Sequence, residues 1–100
     1  MAQDNIAFIR DNVPLQERLT ALAEEATELA QAALKYRRTL IKGNPTPLDR
    51  ENAKRALLEE IADVECCNIA LDLPPADWMC IGKILKRKAQ RWANRLKAVE

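Results

Sequence analysis

The stretch from residue 14 to residue 42, PLQERLTALAEEATELAQAALKYRRTLIK, decides the fold class of this chain. Most of it consists of Ala, Leu, Glu, Gln, Lys and Arg, which have the highest helix propensities. Apolar residues recur along it at intervals of three and four, which predicts an amphipathic helix whose apolar seam packs against another helix. The seam consists of Leu15, Leu19, Leu22, Ala26, Leu29, Ala33, Tyr36 and Leu40.

Prolines and glycines mark where this helix and its neighbours end. The runs KGNPTP at 42–47 and LPP at 73–75 interrupt helix-forming sequence, and Pro14 marks a helix start. No stretch alternates polar and apolar residues as a strand does. The sequence therefore predicts an all-α helical bundle. Its elements are a short N-terminal helix near residues 4–11 and three long helices near 14–42, 48–72 and 75–98, with Thr46 or Asp49 capping the second long helix.

Length and composition set limits on the protein. One hundred residues fit a single domain, residues 1–100, with an N-terminal arm at 1–13 and the long helices at 14–98. A domain this small buries a modest share of its surface, so we expect oligomerisation to complete the bundle. The formal net charge of +1 gives no argument for binding to nucleic acid or membrane.

The sequence predicts a cytoplasmic protein. Residues 1–10 are polar and lack the apolar run of a signal peptide, and no apolar stretch approaches the roughly 20 residues that cross a bilayer. Cys66, Cys67 and Cys80 form neither a disulfide framework nor a zinc-binding spacing. The chain has no histidine, which excludes Ser–His and Cys–His catalysis.

Each of the first two long helices carries a pair of acids three residues apart, with a small residue one turn before and one turn after the pair. Spacings of four, three and four keep the four residues of each stripe on one face of the helix. That face lies next to the apolar seam. A single pair of this kind is most often part of a solvated face. Two pairs with the same geometry converge if the seams pack together. The stripes are Ala21, Glu25, Glu28 and Ala32 in the first helix and Ala56, Glu60, Asp63 and Cys67 in the second.

Four converging carboxylates predict a bound cation. Burying like charges together costs several kcal/mol per ion unless the charges are compensated or protonated. Ligands that are all oxygen select hard cations such as Mg²⁺ or Mn²⁺. Di-iron bundles use Glu-x-x-His motifs, which a chain without histidine cannot supply. We therefore predict a site for a hard divalent cation, Mg²⁺ or Mn²⁺, formed by Glu25, Glu28, Glu60 and Asp63.

The same residues carry a resemblance to a known family. Residues 24–29, EEATEL, and residues 59–64, EEIADV, resemble the signature of MazG-like all-α nucleoside triphosphate pyrophosphohydrolases, in which Glu-x-x-Glu on one helix precedes Glu-x-x-Asp on the next. The resemblance covers residues 19–96. It implies Mg²⁺-dependent hydrolysis of nucleoside triphosphates, including deoxy or non-standard ones, to monophosphate and pyrophosphate in a house-cleaning role. It also implies a homodimer or homotetramer in which the helices of residues 14–98 are catalytic.

The third long helix carries the basic residues that, by this resemblance, are expected to bind the substrate. Lys88, Arg91 and Arg95 resemble a Lys-x-x-Arg-x-x-x-Arg pattern of small phage-type relatives, and their expected role is to bind triphosphate oxygens. Lys35 and Arg38 are further candidates for this role. Alongside the four acids, Glu24 is the catalytic candidate for an outer-shell or base function, with a position in solvent as an equal alternative.

Two other interpretations of the sequence stay open. The chain can be a non-catalytic helical interaction module that keeps a degenerate MazG-like bundle, or a nucleic-acid binder built on the basic residues 83–97. The near-zero net charge and the neighbouring acids count against nucleic acid. Trp78, Trp92 and Tyr36 can stack on a base, and packing in the core or an interface is the alternative for each. The sequence does not identify the preferred base or sugar.

Overall fold

The regular structure of the protein is entirely helical in the residues that the computed structural model describes, 2–41 and 49–99. No strand occurs in these residues, which confirms the all-α prediction. The predicted helix ends differ from the observed ones by at most two residues. The four helices are α1 (Ala2–Asn12), α2 (Leu15–Leu40), α3 (Arg50–Ala70) and α4 (Pro75–Val99).

Proline and aspartate define the starts of the two central helices. The carbonyl of Pro14, just before α2, accepts backbone hydrogen bonds from Glu17 at 3.0 Å and Arg18 at 3.1 Å. Asp49 caps α3 through its carbonyl, which accepts the Ala53 N–H at 2.9 Å, and its carboxylate makes no capping bond. The predicted cap position is therefore correct for Asp49, while Thr46 lies outside the described residues.

Helices α2 and α3 form an antiparallel pair that is tied at both ends. At one end, the Arg18 guanidinium donates to the carbonyls of Ala70 at 2.9 Å and Leu71 at 3.0 Å, where α3 finishes. At the other end, Arg50 at the start of α3 donates to the carbonyl of Thr39 at 2.9 Å. Both arginines bind carbonyls near a helix C-terminus, which lack partners within their own helix and carry partial negative charge.

The residues that α2 and α3 withdraw from solvent follow spacings of four and three, as in a coiled coil. They differ from the predicted leucine seam, because Leu15, Leu19 and Leu40 are each about half exposed, at 49%, 47% and 52%. The face of α2 that contacts α3 is rotated towards small residues. Ala32 and Ala53 are buried where the two helices meet. The withdrawn positions are Arg18, Leu22, Glu25, Leu29, Ala32, Tyr36 and Thr39 in α2, Ala53, Leu57, Glu60, Val64 and Cys67 in α3, and Leu71 just after α3. Asn68 and Ala70, near the end of α3, are also withdrawn.

Helix α1 packs on the C-terminal end of α3. Arg10 donates to the carboxylate of Asp72 at 3.1 Å and to that of Asp11 at 3.0 Å. Asp72 has a left-handed backbone, with φ of 54°, which ends α3 and turns the chain towards α4. These contacts place α1 along one wall of the α2–α3 pair.

Helix α4 leaves most of its apolar side chains in solvent. Leu85, Trp92 and Leu96 are 66%, 67% and 61% exposed. Among the described residues, the main interhelical packing joins α2 to α3, and α1 to α3 to a smaller degree. None of the described helices has a stretch long and apolar enough to cross a bilayer.

Candidate metal centre

The α2–α3 seam has two chemically different sides, because residues seven apart in a helix lie in one row. One side is built of large apolar residues and fills the contact between the helices. The other side is built of small or polar residues, and it is therefore open enough to form a groove. The groove side consists of Arg18, Glu25, Ala32 and Thr39 in α2 and Ala53, Glu60 and Cys67 in α3.

Three of the predicted ligands converge in the middle of this groove. Glu25, Glu60 and Asp63 each offer a carboxylate oxygen, and these oxygens all lie within 4.8 Å of one another. Glu25 and Glu60 are half-buried at seam positions, while Asp63 is exposed at the edge of the groove. We refer to these three residues as the carboxylate cluster.

The carboxylate cluster holds more negative charge than its surroundings compensate. Within the described residues, Glu25 Oε2 and Glu60 Oε2 are buried and have no hydrogen-bond partner. Burial, followed by the charges of Glu28 and Asp63, raises the pKa of Glu25 to about 7. The same causes, with burial again the largest, raise the pKa of Glu60. Because unpaired buried carboxylates are costly, a positively charged ligand would stabilise this arrangement.

The remaining predicted acids lie at different distances from the cluster. Glu28 is exposed one turn after Glu25, close enough for its charge to raise the pKa of both Glu25 and Glu60. It is therefore a neighbour of the cluster, although its oxygens are not among the three that converge. Glu24 is exposed on α2 and does not belong to that group.

The structure does not bring the predicted substrate-binding cations to the cluster within one chain. Lys88, Arg91 and Arg95 are exposed on α4, and α4 does not share with α2 or α3 the packing that joins those two helices. Both salt bridges in the described part of the chain belong to Arg10, so neither neutralises the cluster. A role for the α4 cations at this site therefore needs a second chain.

The donor set fits a small hard cation. Mg²⁺ binds oxygen at about 2.1 Å, so ligands on opposite sides of the ion are about 4.2 Å apart. The oxygens of the cluster lie within 4.8 Å of one another, so small movements of the side chains would bring them to the separations of ligands on one ion. Cys67 and Cys66 are the soft donors nearby, and burial, followed by the charges of Cys66, Glu25 and Asp63, raises the pKa of the Cys67 thiol. The atoms that converge are all carboxylate oxygens, which favours hard cations over zinc.

Two clefts continue the groove, one on each side of the carboxylate cluster. The first, which we call the polar cleft, has a volume of about 370 Å³ and lies towards the end of α2 and the start of α3. The second, the apolar cleft, has a volume of about 240 Å³ and lies towards α1. The polar cleft is lined by Glu28, Gln31, Ala32, Lys35, Ala53 and Glu60 among others. The apolar cleft is lined by Ile9, Val13, Ala21, Cys66, Cys67 and Ala70, with the charged residues Glu17 and Arg18 also at its wall.

Two residues that lie beside the acids in the structure are only weakly indicated by the sequence. Lys35 lines the polar cleft together with Glu28 and Glu60, and its position seven residues after Glu28 was the available signal. Cys67 stands one turn after Asp63 and lines the apolar cleft.

The raised pKa of Glu25 predicts how the stability of the metal-free protein depends on pH. In the unfolded chain the Glu25 carboxyl has a pKa near 4.5, and in the folded chain the pKa is about 7. Between these values the folded state binds more protons than the unfolded state, so stability falls as pH rises. We expect the Tm measured in EDTA to be lower at about pH 8 than at about pH 5.5.

Variants and Mg²⁺ separate this effect from other titrations. Glu25→Gln, which cannot ionise, should raise the Tm at the higher pH and flatten the pH dependence, whereas Glu24→Gln should leave both unchanged. Added Mg²⁺ should raise the Tm of the wild-type protein most at the higher pH, because it binds only the folded, ionised cluster. A Tm that rises with pH and is unaffected by Glu25→Gln would show that the cluster is not under charge repulsion.

Comparison of the chain with protein-family models, with curated proteins and with solved structures gives no match.

Proposed function

We propose that this protein is a Mg²⁺-dependent nucleoside triphosphate pyrophosphohydrolase of the MazG-like type. The observation that supports this best is the convergence of Glu25, Glu60 and Asp63, whose oxygens lie within 4.8 Å of one another. The two buried oxygens without partners support it further, because they are suited to a cation. Both helices contribute their acids at the positions of the Glu-x-x-Glu and Glu-x-x-Asp motifs.

In this proposal the chain's carboxylates hold the metal and the water. Glu25, Glu60 and Asp63 are the ligands, and Glu28 stands where it can complete the ligand set or take a proton from the attacking water. When bound, Mg²⁺ would neutralise the charge that builds up on phosphate oxygens and polarise them for attack. Water adds across the anhydride between the α- and β-phosphoryl groups, which gives a monophosphate and pyrophosphate.

An oligomer is part of the proposal, because one chain leaves too much of itself exposed. Its accessible surface is 8217 Å², whereas a compact monomer of 11.3 kDa exposes about 5,700 Å². Its radius of gyration is 17.4 Å, against about 13 Å for a compact domain of this length. A homodimer or homotetramer that covers α4 would remove this excess, and it could carry Lys88, Arg91 and Arg95 to a neighbour's carboxylate cluster.

A second candidate function is supported by α4 alone. Its seven basic side chains and one acidic one, together with exposed Trp92 and Leu96, suit an interaction module that keeps the bundle without catalysis. The two functions differ in what the carboxylate cluster does, so an assay of hydrolysis separates them.

The test is an assay of the purified protein against a panel of ribo- and deoxynucleoside triphosphates. With Mg²⁺ or Mn²⁺ we expect the corresponding monophosphate and pyrophosphate in equal amounts, and with EDTA neither product. Release of inorganic phosphate and a diphosphate instead would mean a different reaction. A folded protein that hydrolyses no nucleotide with either ion would reject the proposal and favour the interaction module.

A further inference from the structure

The carboxylate cluster lies between two clefts of opposite chemistry on a single groove. Ala21 and Ala32, which border the two clefts, are separated by about 16 Å along α2. The cluster residue of α2, Glu25, stands between them, one turn from Ala21. A ligand bound at the cluster can therefore extend in both directions, and each direction offers it different partners.

The polar cleft suits the charged end of such a ligand. Lys35 lines it, and its ammonium group is a donor and a point charge for phosphate oxygens. Gln31 adds an uncharged amide that can donate to the same oxygens. Ala32 and Ala53 form its floor, and because both are small and buried they let a chain of phosphates lie close to the backbone.

The apolar cleft suits the flat, weakly polar end of the ligand. Most of its exposed surface comes from alanines, cysteines and aliphatic residues, although Glu17 and Arg18 also line it. The Arg18 guanidinium is engaged by the carbonyls of Val13, Ala70 and Leu71. Helix α1 supplies Ile9, and the turn after it supplies Val13, so the N-terminal arm forms one wall. Cys67 connects this cleft to the cluster, since it lines the cleft and stands one helical turn after Asp63. Apolar walls with few polar groups are typical of sites that bury a ring system.

We infer that the groove binds a nucleoside triphosphate in one orientation, with the terminal phosphates in the polar cleft at Lys35 and the nucleoside in the apolar cleft at Ala21 and Cys67. This inference rests on the proposed hydrolysis of nucleotides, and it adds to that function which end of the substrate each cleft receives. In this orientation α1 forms one wall of the cleft that binds the base. Lys35 is then the cation of the same chain that binds phosphate.

Binding measurements with two probes test the orientation. The probes are inorganic tripolyphosphate, which has no nucleoside, and a panel of α,β-methylene nucleotides that cannot be cleaved, each titrated calorimetrically with Mg²⁺ present. Ala21→Phe fills the apolar cleft and should weaken nucleotide binding by about tenfold or more while leaving tripolyphosphate unchanged. Lys35→Met should weaken both probes by about tenfold, because it removes a charged donor.

Matched controls for both substitutions are available on α2 and α3. Ala23→Phe adds the same ring to an exposed position that does not line the cleft, and Lys54→Met removes the same charge from an exposed position on α3. Both should bind the two probes as the wild type does. If Ala21→Phe weakens tripolyphosphate as much as nucleotide, or if Lys35→Met spares tripolyphosphate, the orientation is wrong although nucleotides still bind. If the wild type binds neither probe, the proposed function fails with it.

Alkylation of Cys67 is a second test of the orientation. It requires no substitution in the parts of the cleft wall that α1 and α2 form. In a Cys66→Ala/Cys80→Ala background, which keeps the Cys66 position of the cleft wall small and apolar, iodoacetamide reports on Cys67 alone, since these are the three cysteines of the chain. The uncleaved nucleotide should slow this reaction, and tripolyphosphate should not. Equal protection by both probes, or protection by tripolyphosphate alone, would overturn the assignment of the nucleoside to this cleft.

Discussion

Replacing Glu60 with glutamine is expected to lower Mg²⁺-dependent pyrophosphate release by about a thousandfold or more. Glu60 is half-buried at the centre of the carboxylate cluster, and its Oε2 has no other partner among the described residues. Metal ions contribute several kcal/mol of charge stabilisation to reactions of this kind, so losing one ligand removes most of that contribution. Asp63→Asn should have an effect of similar size.

Stability measurements distinguish this loss from misfolding. Glu60→Gln should raise the Tm of the metal-free protein, because burial and the charges of Glu28 and Asp63 already hold the pKa of Glu60 above its usual range. Helix content by circular dichroism should be unchanged. Glu59→Gln is the matched control, since Glu59 is exposed beside Glu60 and outside the cluster, and it should keep full activity. Wild-type rates for Glu60→Gln would remove Glu60 from the metal site.

The double substitution Leu85→Glu/Trp92→Glu is expected to convert an oligomer into a monomer. Both side chains are about two-thirds exposed in one chain and lie seven residues apart, so they form one apolar row on α4. If this row is covered by another copy, two buried charges there would cost more than an interface of ordinary size can tolerate. Light scattering coupled to size-exclusion chromatography measures the change in mass.

The opposite face of α4 provides the control. Gln90 and Asn94 are hydrogen-bonded to each other at 2.9 Å and lie about 140° to 180° around the helix from Leu85. Gln90→Glu/Asn94→Glu introduces the same two charges and should leave the oligomer intact. The wild-type Tm should also rise with protein concentration, as it does when folding and association are coupled. A wild-type protein that is monomeric at all concentrations would refute the oligomer.

The acids and the helices were predictable because they depend on local patterns. Glu25 and Glu60 repeat the same spacing from the small residues around them, and that spacing is enough to place them on one face. The contact seam was predicted only in part, because Leu22, Leu29 and Tyr36 are half-buried at it while the other predicted members are exposed. Leu15 and Leu19 dominate the hydrophobic pattern of α2 but remain half exposed, because close packing with α3 is determined by Ala32 and its neighbours. The hydrophobicity of a residue measures the free energy of exposing its side chain to water. It does not show which face of a helix packs most closely against a partner.

The placement of α4 was not predictable from the sequence of one chain. The apolar row that includes Leu85 and Trp92 requires a partner surface, and periodicity gives the same pattern whether that surface belongs to the same chain or to another. The expectation that Lys88, Arg91 and Arg95 serve the acids therefore depends on assembly. Lys35, by contrast, stands in the groove because it shares a helix with Glu28, and a shared helix fixes relative position without any assembly.

The seven-residue repeat of α2 also limits how the gene can change. One residue inserted between Glu25 and Ala32 would turn every later side chain by about 100°, so that Ala32 would leave the groove and a larger neighbour would take its place. Point substitutions at the outward positions alter one side chain each, while a single insertion or deletion alters the whole helix beyond it. Among descendants of this sequence, differences in length should therefore collect in the connections between helices, and the helices themselves should diverge by replacement alone.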